Sequence, residues 1–461
     1  MNDYDVVVIG AGSGGLVAAT TAKRRGLTVA LLEKNKIGGE CTHSGCIPSK
    51  ALLHSAKMME ATKHLKDDYG LKGLEITGTA NFSAVMEHVD SIVQGVYKSE
   101  TPQVFEQQGI DVFVNKTGVK FNDAHTLQIG SEILKFKNAV ICTGSSPKQL
   151  IISGSEELSF LDNENFWALR KLPESIIFIG GGIISAELGQ ALTRFGSKVT
   201  IIDRNPAILK PVDDDAREII LDIFKKEGIQ IIYDAVLKKV SNGITEKTIT
   251  YLRNNDEYEI SAESIFLATG RQPNVAGLDL EKAGISYSEN GIETNSFLQT
   301  SVPHIYCCGD VTSSQKFTHT ASYQAGVVIE NILNRNKKTN DTSVLPWVIF
   351  TEPEIAHVGL SEKEAKEKFD DKVVVFKVDA NMDRFITDKS TTGFLKVIFN
   401  EENIVIGADA IGAHAGEWIQ LLTIAIKNKI PAESFADTIF AYPTYSEIVK
   451  KAFTRYLRSK Q

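Results

Sequence analysis

Cysteine is scarce in this sequence. There are five in 461 residues: Cys41, Cys46, Cys142, Cys307 and Cys308. That is too few for a small secreted disulfide scaffold. No second cysteine pair has zinc-ligand spacing, and His43 beside Cys41 and Cys46 still leaves the four donors of a structural zinc site unassembled. Long apolar runs are also missing. The longest uncharged stretch, Val6–Ala22, is 17 residues and is interrupted by Gly10, Gly12, Gly14 and Gly15. A membrane-spanning helix needs about 20 apolar residues. The residues ahead of this stretch, Asp3 and Asp5, are acidic, the opposite of a secretory leader. Positive charge is not in excess: 50 Lys+Arg against 58 Asp+Glu leave a net charge of −8. With no basic run, the chain is a poor match for nucleic acid. The composition, 43% hydrophobic and 23% charged, excludes a disordered chain. The expectation is a cytoplasmic protein of about three domains with no nucleic-acid or membrane partner.

What is present is a repeated motif. Asp5–Ile9 reads as a buried strand and runs into Gly10, Gly12 and Gly15. A helical stretch Leu16–Arg25 follows, then a strand Thr28–Leu32 ending at Glu33. Ser175–Ile179 repeats the pattern with Gly180, Gly182 and Ser185, a helical stretch Ala186–Phe195, and a strand Lys198–Ile202 ending at Asp203. In both units the acidic residue follows the first glycine by 23 positions. Each unit fits a dinucleotide fingerprint. The first glycine makes the tight turn and the second admits the pyrophosphate at the helix N-terminus. The third position must be small for helix–strand packing, and the acid meets the ribose hydroxyls. One such motif is weak evidence; two in the same register, each between a strand and a helix, are strong.

The organisation follows from this repeat. Residues 1–148 form the first nucleotide lobe, 149–273 the second, 274–340 a return segment and 341–461 a C-terminal domain. The polar stretch Asn334–Ser343 reads as a linker. Trp347–Thr351, Val373–Val378, Gly393–Phe399 and Ile404–Ile411 read as an antiparallel sheet, and Trp418–Lys427 and Tyr445–Leu457 as helices. Ser361–Lys368 reads as a solvated helix face. The fold class is α/β: two Rossmann-like domains followed by an α+β domain.

Cys41 and Cys46 lie in Gly39-Glu-Cys-Thr-His-Ser-Gly-Cys-Ile-Pro-Ser-Lys50. On a regular helix such a spacing holds two cysteines too far apart for a disulfide, but Gly45 and Pro48 permit a distorted turn. The pair is either redox-active or simply two buried thiols. A disulfide takes up two electrons and a nicotinamide delivers two as hydride, normally through a flavin. The residues therefore suggest a path from NAD(P)H to flavin to disulfide, with the flavin in the first lobe.

In these motifs, and in Ala268–Pro273, Gly309-Asp310 and Pro443–Glu447, the chain resembles the FAD-dependent pyridine nucleotide-disulfide oxidoreductases, which include dihydrolipoamide dehydrogenase and mercuric reductase. The resemblance implies that Gly10, Gly12, Gly15, Glu33, Gly39, Thr143, Gly144, Gly309 and Asp310 hold FAD. It places NAD(P)H on Gly180, Gly182, Ser185, Asp203 and Gly270. It makes Cys46 the thiol facing the flavin and Cys41 the thiol that meets the acceptor. Lys50 would pair with Glu187 near the flavin, since either charge alone is costly when buried. It also implies a homodimer in which the C-terminal segment of one subunit completes the site of the other.

There the family pattern is His-Pro-Thr-x-x-Glu. This chain has Tyr442-Pro-Thr-Tyr-Ser-Glu447. A histidine accepts a thiol proton near neutral pH; a tyrosine, with a pKa near 10, is a poor base there. Exchange with lipoamide or glutathione should be impaired. A tyrosine here is similar to mercuric reductase, yet the vicinal cysteines that deliver the metal in those enzymes are not found after Tyr442. The expected acceptor is a metal ion, a quinone or an unusual disulfide. Alternatives are a dihydrolipoamide dehydrogenase and a flavin redox sensor or subunit with little catalysis. No resident metal is expected. Asp203 favours NAD(H), and Arg204 leaves NADP(H) open. His43 is a candidate substitute base or metal contact, and Cys307-Cys308 is expected in the core.

Overall fold

Strand Asn2–Ile9 runs through the first sheet between Val29–Glu33 and Glu132–Ile141. Val6, Val7 and Val8 are fully buried. A strand covered on both faces needs a continuous apolar run rather than alternation, and Val6–Ile9 supplies it. The computed structural model describes residues 2–65, 70, 71, 73, 78–312, 316–335 and 337–461. The parallel part of the sheet runs Asp111–Val114, Val29–Glu33, Asn2–Ile9, Glu132–Ile141, Ile305–Cys307. Strand Glu132–Ile141 divides its far edge. Thr126–Ile129 pairs antiparallel with its first half, and Ile305–Cys307 pairs parallel with its end, Cys307 opposite Ile141. The return segment therefore completes the sheet of the first lobe.

The second lobe repeats the parallel arrangement in the order Gln230–Ile232, Lys198–Ile202, Ser175–Ile179, Ser264–Leu267. An antiparallel sheet, Val236–Asn242, Lys247–Arg253 and Asp256–Ala262, is inserted before its last strand. The exit from the first lobe and the return to it lie side by side: Ser145–Pro147 pairs antiparallel with Arg271–Pro273.

The fingerprint helices begin earlier than the sequence reading placed them, at Ser13 and Ile183 rather than Leu16 and Ala186. The physical reason is that Gly12 and Gly182 are the N-caps. The residues read as turn are already the first helical turn, whose N–H groups lack partners within the helix.

The C-terminal sheet is antiparallel and has five strands, in the order Trp347–Ile349, Glu354–Gly359, Val405–Gly412, Phe394–Phe399, Val374–Asp379. Glu354–Gly359 was not anticipated. Its apolar core is only a few residues and follows Pro353, a weak local signal for a strand held by both neighbours. Helices Ala415–Lys427 and Glu447–Ser459 bury Trp418, Ile419 and Leu422, and Ile448, Val449, Ala452, Phe453 and Tyr456. These recur at helical spacing on one face. Tyr456 stacks on Phe399 of the sheet with centroids 3.7 Å apart. The segment read as a linker is tied down: the side chain of fully buried Asn331 bonds both the N–H and the carbonyl of Lys338. The expected solvated helix runs over Glu362–Phe369 with a Ser361–Glu364 capping box, though Glu362 also reaches the buried Lys396 ammonium at 3.2 Å.

Candidate active site

The two glycine turns are built alike. Gly10 N–H donates to Leu32 O, and Gly180 N–H to Ile202 O, each at 2.8 Å. Their φ values are +99° and +105°. A Cβ would stand 2.4 Å from Cys142 O in one turn and 2.4 Å from Ala268 O in the other, so only glycine makes either turn. The acids also behave alike. Glu33 accepts from Ala11 N at 2.8 Å and Asn35 N at 2.7 Å. Asp203 accepts from Gly181 N at 2.5 Å and Asn205 N at 2.8 Å. The third position differs. A Cβ on Gly15 would meet Gly10 O at 1.8 Å, whereas Ser185 Oγ donates to Gly180 O at 2.5 Å. Neither Gly12 nor Gly182 supplies a side-chain cap, and the space beside Gly182 is open. Both helices thus present bare N–H donors in glycine cradles, which fits a pyrophosphate at each.

The other residues assigned to the cofactor lie against the first glycine turn, beside helix Thr318–Asn334, or where the chain crosses between lobes. Gly39 lies over Gly12; a Cβ there would be 2.6 Å from the Gly12 Cα. Thr143 Oγ1 donates to Asn274 O at 2.8 Å, and Gly144 O accepts from Asn274 N at 2.9 Å. Gly270 O accepts from Lys148 N at 3.0 Å. Gly309 N–H donates to Gln324 at 2.8 Å, and Asp310 accepts from Ser145 Oγ at 2.7 Å. Arg271, which the sequence reading did not single out, joins this cluster. It donates to both carboxylate oxygens of Glu40 and to Ser145. Burial pushes the Glu40 carboxyl up to about 7 while the Arg271 guanidinium pulls the other way. The usable signal was a charged residue directly before Cys41.

Cys41 ends up beside Cys46 because the helix breaks between them. Helix Gly39–His43 stops, and helix Cys46–Thr62 starts after Gly45. A side chain at Gly45 would press on Glu40 O at 3.0 Å and Cys41 Cα at 3.3 Å. Both cysteines are free thiols, and they hydrogen-bond each other. That bond lowers the Cys46 thiol to about 6, against the opposing effect of burial, with help from the Thr318 hydroxyl and the Lys50 ammonium. Thr318 Oγ1 lies 3.4 Å from Cys46 Sγ. Position at a helix N-terminus also favours a thiolate. The same thiol–thiol bond, with burial, drives Cys41 the other way. The pair is therefore polarised, Cys46 toward thiolate and Cys41 toward thiol. Lys50 Nζ pairs with Glu187 Oε2 at 2.8 Å and sits 4.4 Å from the Phe350 ring centroid. Phe350 N–H donates to the other Glu187 oxygen at 2.8 Å.

Tyr442 and Glu447 are placed elsewhere. Tyr442 is 70% exposed and its hydroxyl donates to Asp383 Oδ2 at 2.7 Å. That bond raises the phenol pKa further. Glu447 accepts from Thr444 N at 3.2 Å. Neither residue has a described hydrogen bond to Cys41 or Cys46 of its own chain. Asp383, not singled out in the sequence, is the hydrogen-bond partner of Tyr442, and Glu447 is not. His43 is committed: its Nε2 lies 2.8 Å from Ile37 O and its ring packs on Tyr97. Cys307 and Cys308 are buried as expected, with Cys308 Sγ 3.3 Å from Cys142 Sγ. Among the described residues no group of three or more His, Cys, Asp or Glu is arranged to hold a metal ion, and no helix is long and apolar enough to cross a membrane.

Comparison with known proteins agrees with this geometry. Residues 4–325 match the family model described as pyridine nucleotide-disulphide oxidoreductase, and residues 345–453 match that family's dimerisation domain. The chain is 33% identical to a mercuric reductase of Staphylococcus aureus, over 98% of its own length and 82% of the relative's. It is 35% identical to a dihydrolipoyl dehydrogenase of Geobacillus stearothermophilus, over 98% and 95%. Among solved structures it superposes on the Cu(II) complex of the HOCl-induced flavoprotein disulfide reductase RclA from Escherichia coli. There the TM-score is 0.88 and the identity 26%, covering 99% of this chain and 100% of that one. Mixed α/β architecture, two dinucleotide cradles and a dimerisation domain coincide over nearly the whole length, and the chain is a member of the pyridine nucleotide-disulphide oxidoreductase family, an oxidoreductase of the FAD- and NAD(P)-dependent kind.

Proposed function

We propose that this protein is an NADH-dependent flavoprotein reductase that passes two electrons through Cys41 and Cys46 to a thiophilic metal cation. The observation that carries the acceptor assignment is the Tyr442–Asp383 hydrogen bond. A phenol whose proton is held by a carboxylate is no base for a thiol. It turns oxygen lone pairs, not a proton, toward what approaches, and Asp383 adds negative charge beside it. That combination suits a cation better than a neutral disulfide needing acid–base help. The mercuric reductase relatives and the copper complex of the RclA neighbour support the same reading.

FAD, when bound, supplies a two-electron acceptor for hydride and a donor to a disulfide. The chain does the rest. Residues 1–148 with 274–340 form the FAD-binding domain in this reading, 149–273 the NADH domain and 341–461 the dimerisation domain of a homodimer. Glu33 and Asp203 orient the two adenosine riboses. The negative charge of Asp203 disfavours a 2′-phosphate. Cys46 is kept as the thiolate by Cys41, Thr318 and Lys50. Cys41 meets the acceptor, beneath Tyr442 of the partner subunit. When the Cys46 thiolate and the Cys41 thiol form their disulfide, two electrons pass to the metal cation and the Cys41 proton leaves. The cytoplasm, where thiols stay reduced, suits this chemistry.

The test is steady-state oxidation of NADH by the purified protein with mercuric ion, cupric ion, quinones and lipoamide. Metal-dependent turnover that is lost in Cys41→Ser supports the proposal. Lipoamide as the best substrate would instead make the protein a dihydrolipoamide dehydrogenase, a reading favoured by 35% identity to such enzymes. Quinone turnover that survives Cys41→Ser would place the thiols off the path.

A further inference from the structure

The helix that carries Glu187 makes a second row of contacts that neither the fingerprint nor the redox motif explains. Glu187, Gln190 and Arg194 share one face of helix Ile183–Phe195, being three, four and seven residues apart. All three are buried. They dock on the segment Phe350–Glu352 of the C-terminal domain. Gln190 does so through its whole amide: its Nε2 donates to Glu352 O at 2.9 Å, and its Oε1 accepts from Glu352 N at 2.8 Å. Arg194 Nη1 pairs with the Glu352 carboxylate at 2.5 Å, and Lys57 approaches the other Glu352 oxygen at 3.0 Å. Lys50 and Lys57 are two turns apart on helix Cys46–Thr62. The result is a ladder with two rungs. The upper rung is Lys50, Glu187 and Phe350; the lower is Lys57, Glu352, Gln190 and Arg194.

We propose that Gln190 and Glu352 are positioning residues for Lys50. They fix the backbone from Phe350 to Glu352, and the Phe350 N–H in turn fixes Glu187 so that its second oxygen holds the Lys50 ammonium beside Cys46. The inference rests on the reading that Cys46 works as a thiolate. Its physical basis is that a carboxylate with two lone-pair directions committed, one to Lys50 and one to a rigid backbone N–H, cannot swing. Freed at Phe350, Glu187 loses the bond that fixes its orientation, and with it the fixed position of Lys50. The charged and titratable groups acting on Cys46 are Cys41, Lys50 and Glu187, with the Thr318 hydroxyl beside them. Of these, only Lys50 and Glu187 touch the ladder.

The readout is the rate of iodoacetamide alkylation of Cys46 against pH, followed by peptide mass spectrometry on the reduced, full-length protein. It needs no turnover. Gln190→Ala and Glu352→Gln should move the midpoint upward by at least half a pH unit, a roughly threefold change in proton affinity. Thr193→Ala is the structural control. Its hydroxyl bonds Gly189 O within the same helix and does not touch the segment, so the midpoint should stay in place. Gln190→Ala removes both partners of the Glu352 backbone and can fail to fold; Glu352→Gln, at a 37% exposed side chain, then decides. Midpoints that match the parent in folded variants overturn this inference alone. A parent whose Cys46 titrates near the ordinary thiol value overturns the thiolate reading and this inference with it.

Discussion

Lys50 and Glu187 are 137 residues apart in sequence and 2.8 Å apart in space. Lys50 comes from the helix that Cys46 opens and Glu187 from the helix after the second glycine turn. Glu187 is nearly inaccessible, its side chain 6% exposed, while Lys50 is 36% exposed. The pair is thus lopsided: the carboxylate pays the larger desolvation cost, and both of its oxygens are bonded in return. Replacing Glu187 by Ala leaves the Phe350 N–H without its acceptor and Lys50 without its counter-charge. We expect a stability loss of about 1–3 kcal/mol, read by urea unfolding of the folded dimer. Unchanged stability would show that the Phe350 N–H finds another acceptor.

Cys46 should titrate near 6 rather than near 9. Its depressed value means the thiolate persists as pH falls from 9 and is lost as pH falls through about 6. In the reduced holoenzyme the long-wavelength charge-transfer absorbance should therefore be flat at alkaline and neutral pH and fade below about 6. Thr318→Val, which removes a hydroxyl 3.4 Å from the sulfur, should move the fade upward. A fade near pH 9 in the parent would refute the assignment of Cys46 as the thiolate partner.

Tyr442→His should raise lipoamide reduction if the missing base limits it, because an imidazole near its ordinary pKa accepts a thiol proton at neutral pH. A general base contributes typically about 10²–10⁴-fold, so a gain of about tenfold or more is the expected reading. Asp383→Asn in the parent should leave lipoamide rates low and weaken metal-ion turnover through KM. No response of metal KM to Asp383→Asn would remove the charge argument for a cationic acceptor.

Gly10→Ala should abolish cofactor binding, since the added methyl collides with a backbone carbonyl at 2.4 Å and the residue is left at positive φ. The bright yellow colour of a flavoprotein should be absent from the purified variant. Gly180→Ala should keep the flavin and lose reduction by NADH, because it breaks the other turn. A colourless Gly180→Ala protein would reverse the assignment of the two lobes.

NADH should be used in preference to NADPH. In the proposed reading Asp203 repels a 2′-phosphate; its oxygens already accept from Gly181 and Asn205. Asp203→Ala should narrow the preference. A parent that prefers NADPH by tenfold would show that Arg204 outweighs Asp203.

The sequence by itself determined the two nucleotide turns, down to the glycines that no other residue can replace, because backbone geometry within a single strand–turn–helix unit is a local property. It also singled out the Cys41–Cys46 pair and the departure at Tyr442, since both are readable at short spacing. Tertiary structure decided the rest. It alone made Ile305–Cys307 a parallel strand beside Ala139–Ile141, made Glu354–Gly359 an inner strand of another sheet, and turned the segment read as a linker into an anchored one. It alone gave Tyr442 Asp383 in place of Glu447, committed His43 to Ile37, set Arg271 against Glu40, and built the Gln190–Glu352 rung under Lys50. Tyr442 with Asp383, Arg271 with Glu40, and Gln190 with Glu352 join residues tens to hundreds of positions apart. Their partners are chosen by how sheets and helices pack, and no periodicity in the sequence records that choice.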